Sequence, residues 1–301
     1  MQEILKNRAE LRSNKENIHF TWDIHFLCNY RCPYCWFYNQ GQDHTGHDRY
    51  FSAEEWIIGW RNIFKKYGSC YIEIAGGEPF IYPNFVSLIK EISKMHSLLI
   101  TTNLSTNIDE FVEQVDSSRV KIGITFHPVF ANLDEFIRKA QLLKEHGFTN
   151  KVTYLAYPPQ INSIDYFRKR FKESGLTIVI TTFWGKYNGV SYPKGYTQQE
   201  IEIIKNDIGK RNKEEYQLKS KEVKGKLCRA GYTYAVIKPY GTAIRCGGSS
   251  VYEEIGNFFD KDFQFLDRPM PCNGEICRCN EWAFLLEEKN EDEKEADFIA
   301  K

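Results

Sequence analysis

The sequence predicts an α/β fold: a partial (β/α)6 barrel followed by a small cysteine-rich module. Three observations carry that expectation. Strand-like and helix-like runs alternate from residue 18 to residue 182, and strands separated by helices pair in parallel through right-handed crossovers. Chemistry-bearing residues recur where those strands end, the face on which such barrels build their sites. A second group of cysteines gathers after residue 227, beyond the last predicted strand.

Residues 1–17 are polar and charged and read as an arm, without the apolar stretch of a signal peptide. From Ile18 to Cys28, Ile18, Phe20, Trp22, Ile24 and Phe26 alternate with His19, Thr21, Asp23 and His25. That period of two predicts a strand with one face against helices and one polar face. Ser52 with Glu55 three residues on predicts a capping box, and Gly68 closes the helix it opens. Strands then follow over 70–75, 98–102, 119–126, 151–157 and 176–182, with helices over 84–95, 108–116, 132–146 and 161–173 between them. Eight strands would close a barrel; six leave it open, so residues 18–185 form the barrel. Residues 186–226 read as a Gly- and Tyr-rich loop and a charged helical linker. Residues 227–290 hold the cysteine-rich module, with a hairpin turning at Lys238-Pro239-Tyr240-Gly241, and 291–301 are a charged tail.

Forty acidic residues balance forty basic ones in 301. No basic stripe gives a motive for nucleic-acid or membrane-surface binding, and no apolar run reaches transmembrane length. Nine cysteines without an export signal point to metal ligation or catalysis, and to the cytoplasm. Cys70, opening an apolar strand, reads as a core thiol.

Three thiols crowd the loop Cys28-Asn29-Tyr30-Arg31-Cys32-Pro33-Tyr34-Cys35. A structural zinc wants four ligands, whereas three thiolates suit a [4Fe–4S] cube whose fourth iron stays open. A zinc-stapled loop is the competing reading, and would make the chain a non-catalytic zinc or iron–sulfur binding module. Gly76-Gly77-Glu78-Pro79 ends the second strand. Two glycines there let backbone approach a ligand, and a carboxylate can hold an ammonium. Asp23, His25, Glu73, Lys121, Thr125 and His127 fall on polar strand faces, which predicts a polar lumen. The bland alternative is solvated strand ends and an ion pair such as Lys121 with Glu73.

The CxxxCxxC run and the GGEP motif together resemble the signature of the radical S-adenosylmethionine (radical SAM) superfamily, whose fold is a partial, TIM-like (β/α)6 barrel. The resemblance implies that Cys28, Cys32 and Cys35 ligate a [4Fe–4S] cluster whose open iron is chelated by SAM. It further implies that Gly76, Gly77, Glu78 and Pro79 hold the methionine end of SAM. The backbone at Tyr34 would then meet the adenine, and Asn103 the ribose or carboxylate. In Ile124-Thr125-Phe126-His127, where many relatives carry an Ile-Ser-Leu-Asp-like run, Thr125 is a further cofactor contact. A reductant such as flavodoxin or ferredoxin supplies the electron. Cys228, Gly241 and Cys246 resemble the opening of the SPASM/twitch extension. With Cys272, Cys277 and Cys279 they imply one auxiliary [4Fe–4S] cluster, held by Cys228, Cys246 and two of the other three. A structural zinc is the alternative reading there.

The expected chemistry is hydrogen abstraction from a small polar, sugar- or cyclitol-like metabolite, followed by oxidation or rearrangement. Asp23, His25, Lys121 and His127 are the catalytic candidates, because this polar set suits hydroxyl and amino groups. Modification of a short ribosomal peptide is the second reading.

Overall fold

The aromatic residues of the first strand set the inner layer. In β1 (His19–His25), Phe20 and Trp22 are fully buried and pack against Trp56 and Trp60 of α1 (Ala53–Tyr67). The computed structural model describes residues 18–35, 37, 50–149, 151–205, 221–247, 252–277 and 285–287. The expected N-terminal arm, the charged tail and most of the helical linker lie outside these residues. The capping box forms at α1: Glu55 N donates to Ser52 Oγ at 3.2 Å, and Ser52 N to Glu55 Oε2 at 2.7 Å. Ser52→Ala is expected to lower stability by about 1 kcal/mol, read as a shifted urea midpoint at unchanged slope.

Past α1 the chain repeats the unit. Strands β2 (Tyr71–Gly76), β3 (Ser97–Thr102), β4 (Val120–Phe126), β5 (Lys151–Ala156) and β6 (Thr177–Thr182) add in sequence order, each parallel to the last. Helices α2 (Phe85–Ser93), α3 (Asp109–Gln114), α4 (Leu133–Glu145) and α5 (Ile164–Glu173) connect them. Phe126 of β4 packs on Phe136 of α4 and Phe171 of α5, so the buried side of each strand is the helix side. The other side of β4, at Lys121, Gly123 and Thr125, is only partly buried.

Two boundaries differ from expectation. The loop after residue 185 contains a hairpin, β7 (Gly185–Tyr187) and β8 (Val190–Tyr192). Its turn residues Asn188 and Gly189 both have positive φ, 48° and 79°. Asn-Gly is the strongest short hairpin signal in a sequence, and the surrounding polar composition masked it. Helix α6 (Gln198–Lys205) follows, then the short strands β9 (Lys221–Glu222) and β10 (Leu227–Cys228). The predicted hairpin is β11 (Tyr234–Ile237) with β12 (Thr242–Ile244). It does not stand apart from the barrel: β11 lies parallel beside β1, with His19 opposite Tyr234 and Trp22 opposite Ile237. With β13 (Glu254–Asn257) antiparallel to β12, one open sheet of nine strands results, in the order β13-β12-β11-β1-β2-β3-β4-β5-β6. The physical reason is the edge of β1, whose peptide groups would otherwise go unpaired in a buried layer. Strands β14 (Met270–Pro271) and β15 (Ile276–Cys277) pair with β10 and β9. Among the described residues no helix is long and apolar enough to cross a membrane.

Candidate active site

Strand β1 releases the chain directly into the loop of three thiols, and the glycine pair at the end of β2 grips that exit. Gly77 N donates to His25 O at 2.7 Å, and Glu78 N to Leu27 O at 2.8 Å. A Cβ on Gly77 would lie 1.8 Å from Leu27 O, and one on Gly76, at φ 117°, 2.2 Å from His25 O. The close approach these glycines allow is to the chain's own backbone at the exit of β1.

Glu78 is 1% exposed, and its carboxylate is engaged. Oε1 accepts from Thr102 Oγ1 at 2.7 Å and from Phe80 N at 3.0 Å; Oε2 accepts from Asn103 N at 2.7 Å. Burial raises its pKa, against the pull of those donors. The carboxylate thus ties the end of β2 to the end of β3, where the sequence suggested a contact to SAM's amino group. Buried Pro79 opens a single turn, Pro79–Ile81, at the same corner. Asn103 faces the thiol loop: Nδ2 donates to Asn29 Oδ1 at 3.1 Å and reaches Cys28 Sγ at 3.9 Å. Buried Lys139 of α4, which sequence reasoning missed, steadies this turn by donating to Leu104 O and Ser105 O at 3.4 and 3.0 Å.

Cys28, Cys32 and Cys35 are partly buried. Tyr30 N donates to Cys28 Sγ at 3.4 Å, and Cys35 N to Cys32 O at 3.0 Å. Burial raises the pKa of Cys28 and pushes Cys32 up to about 12, and the charge of Cys35 acts on both in the same direction. A metal cluster's positive charge would favour the thiolate form that ligation requires. Among the described residues no three His, Cys, Asp or Glu side chains crowd closely enough to hold one metal ion. Thiols around one zinc stand about 4 Å apart, given Zn–S bonds near 2.3 Å; a four-iron cube takes each thiolate on a different iron and spreads them. Three thiols on one loop match the donor count of a four-iron cube whose fourth iron stays open.

The four catalytic candidates divide. Asp23 stays at the top of β1 but forms a buried ion pair, Lys238 Nζ to Asp23 Oδ2 at 2.9 Å. Lys238 immediately follows strand β11, which pairs with β1, a neighbour that sequence alone did not reveal. His25 leaves the lumen. The register between β1 and β2 slips between Asp23 and His25, and such a bulge reverses the alternation. His25 accordingly lies edge-on to Tyr50 and Tyr82, with Nε2 at 2.8 Å from Glu78 O. Lys121 sits at the foot of β4 and donates to Ser117 O and Gly147 O at 2.7 and 3.0 Å. Six residues of strand, about 20 Å, separate it from His127, so it is no part of a site at the strand tops. Glu73 lies two strands from Lys121, through Leu99, and the Lys121 ammonium is held by the carbonyls of Ser117 and Gly147. His127 follows β4 and does reach the thiol loop, with Nδ1 3.0 Å from Tyr34 Oη and 3.6 Å from Cys32 Sγ. Burial pushes its pKa down to about 4. Tyr34, buried, stacks on that imidazole. Thr125 lies on the partly buried face of β4 opposite Thr153 of β5.

The second set of thiols also converges. Cys228 joins a small apolar cluster with Val223, Tyr234, Val236, Ile244 and Leu285, and Cys246, Cys272 and Cys277 pack against it. Burial pushes Cys228 up to about 11, and the charges of Cys246 and Cys272 add to that. Buried Arg245 ties the module by donating to Ala230 O and Met270 O at 2.7 Å and to Pro271 O at 3.1 Å. Cys279 lies outside the described residues.

This arrangement has known counterparts. A family model for the radical SAM superfamily matches residues 24–163. GTP 3',8-cyclase of Crocosphaera subtropica is 28% identical over 102 residues, 32% of this chain and 30% of that protein. Across the curated relatives the matched stretch spans 21% to 55% of their length. Among solved structures, anSMEcpe with bound AdoMet and Cp18Cys peptide superposes with a TM-score of 0.58 at 14% identity, over 93% of this chain and 86% of that one. SuiB of Streptococcus suis gives 0.56 at 17% identity, over 87% and 68%. The thiol loop, the glycine clamp and the parallel strands that carry them all fall within the matched residues or border them, and residues 24–163 form a radical SAM domain.

Proposed function

We propose that this chain holds a [4Fe–4S] cluster on Cys28, Cys32 and Cys35, binds SAM beside it at the strand tops, and acts on a small hydroxyl-bearing metabolite. Bound together, the cluster and SAM supply a 5′-deoxyadenosyl radical that takes a hydrogen atom from the substrate, with flavodoxin or ferredoxin as electron source. The observation that carries the substrate class is the face of the sheet away from the helices. There Thr101, Thr125, Thr153 and Thr181 stand partly or fully exposed between buried neighbours. Hydroxyls at these positions can both donate to and accept from a sugar-like substrate. The Asp23–Lys238 pair is assigned to orient that substrate and to take the proton that a hydroxyl-bearing radical loses on oxidation. Relatives named GTP 3',8-cyclase handle a small polar molecule, which supports the same class.

The second thiol set, Cys228, Cys246, Cys272 and Cys277, fits one auxiliary [4Fe–4S] cluster that accepts an electron or binds substrate. A short peptide is the second reading. It is favoured by exposed apolar residues around the thiol loop: Leu27, Val129, and Phe130 stacked on Tyr30 at 5.0 Å.

Anaerobic incubation of the reconstituted protein with SAM and dithionite is expected to yield 5′-deoxyadenosine, faster with a sugar or nucleotide than without. Failure to bind SAM by calorimetry returns the chain to a metal-binding module. Stimulation by peptides alone overturns the metabolite reading.

A further inference from the structure

His127 carries a geometry that the chemistry above does not use. It is the first residue past β4, and its backbone is held because Phe130 N and Ala131 N donate to His127 O at 3.0 and 2.9 Å. Its ring lies between two others: Tyr34 stacks on it at 5.8 Å and 19°, and Tyr30 meets it edge-on at 6.0 Å and 87°. Between these rings Nδ1 lies 3.6 Å from Cys32 Sγ and 3.0 Å from Tyr34 Oη.

We infer that His127 is a positioning residue whose Nδ1–H donates to the Cys32 thiolate and so raises the reduction potential of the cluster that Cys32 ligates. The inference rests on the reading of Cys32 as a cluster ligand. An iron-bound thiolate has no proton and can only accept. A bare nitrogen facing it would place two lone pairs together, so the imidazole proton belongs on Nδ1, shared between Cys32 Sγ and Tyr34 Oη. Reduction adds negative charge that the sulfur partly carries, and a donor to that sulfur stabilises the reduced form more than the oxidised one. The cluster should then accept its electron at a less negative potential.

The test is a redox titration of the reconstituted holoenzyme, following the EPR signal of the reduced cluster that changes when SAM is added, with iron content measured in parallel. His127→Phe keeps a ring between Tyr30 and Tyr34 but removes the donor. At a fixed applied potential it is expected to lower the ratio of reduced to oxidised cluster about tenfold, which is 59 mV for one electron. His127→Gln restores an N–H and should recover most of that ratio. Tyr34→Phe removes the competing oxygen, leaves the N–H wholly to Cys32, and should raise the ratio about threefold. A His127→Phe protein with full iron and an unchanged ratio overturns the inference. So does a fall in Tyr34→Phe, which would make the tyrosine hydroxyl the donor instead. If Cys32→Ala retains the SAM-responsive signal, the ligand assignment has failed rather than the role of His127.

Discussion

Replacing Cys28, Cys32 or Cys35 by alanine is expected to abolish 5′-deoxyadenosine formation and to remove about half of the iron. Two cubes need about eight irons per chain, so each such variant should retain about four. The effect is all-or-none because the three thiols are the whole protein donor set of the loop. Cys228→Ala makes the complementary prediction: about four irons lost from the second set, with uncoupled SAM cleavage kept. Iron analysis and chromatographic detection of 5′-deoxyadenosine on the same samples check both arms. Cleavage at the wild-type rate in Cys32→Ala would remove the cluster from this loop, and zinc in place of half the iron in the wild type would make the second set structural.

Gly77→Ala should be nearly as damaging although it removes no functional group. The new methyl would lie 1.8 Å from Leu27 O, a backbone atom that cannot rotate aside. Relief requires β1 and β2 to separate at their ends, which breaks Gly77 N to His25 O and Glu78 N to Leu27 O. The buried Glu78 carboxylate would also be dragged from Thr102 and Asn103. Overpacking alone costs about 1–3 kcal/mol, and loss of buried hydrogen bonds adds about 1 kcal/mol each, so destabilisation of about 3 kcal/mol or more is expected. Urea denaturation measures it directly. Iron content should fall as well, because Cys28 follows Leu27 immediately. A Gly77→Ala protein of wild-type stability with a full complement of iron would show that the strand ends have slack that the geometry denies.

Much of this protein can be read before it folds, because the relevant physics is local. Alternation in β1 and β4 follows from the period of a strand, the capping box at Ser52 from the first turn of a helix, and six parallel strands from the helices between them. The thiol loop and the glycine pair are legible for the same reason, being contiguous motifs whose spacing is their chemistry. What residues far apart in sequence do to each other was decided only in three dimensions. Lys238 meets Asp23 because β11 covers the open edge of β1, a pairing across 215 residues. The slip beside His25 turns a lumen candidate into a packing residue, and the foot of β4 takes Lys121 away from the site. Glu78 and His127 gain their partners from neighbouring strand ends, which no periodicity specifies. A strand's pattern says which face a side chain is on, but its partner there depends on which strands lie beside it and in what register.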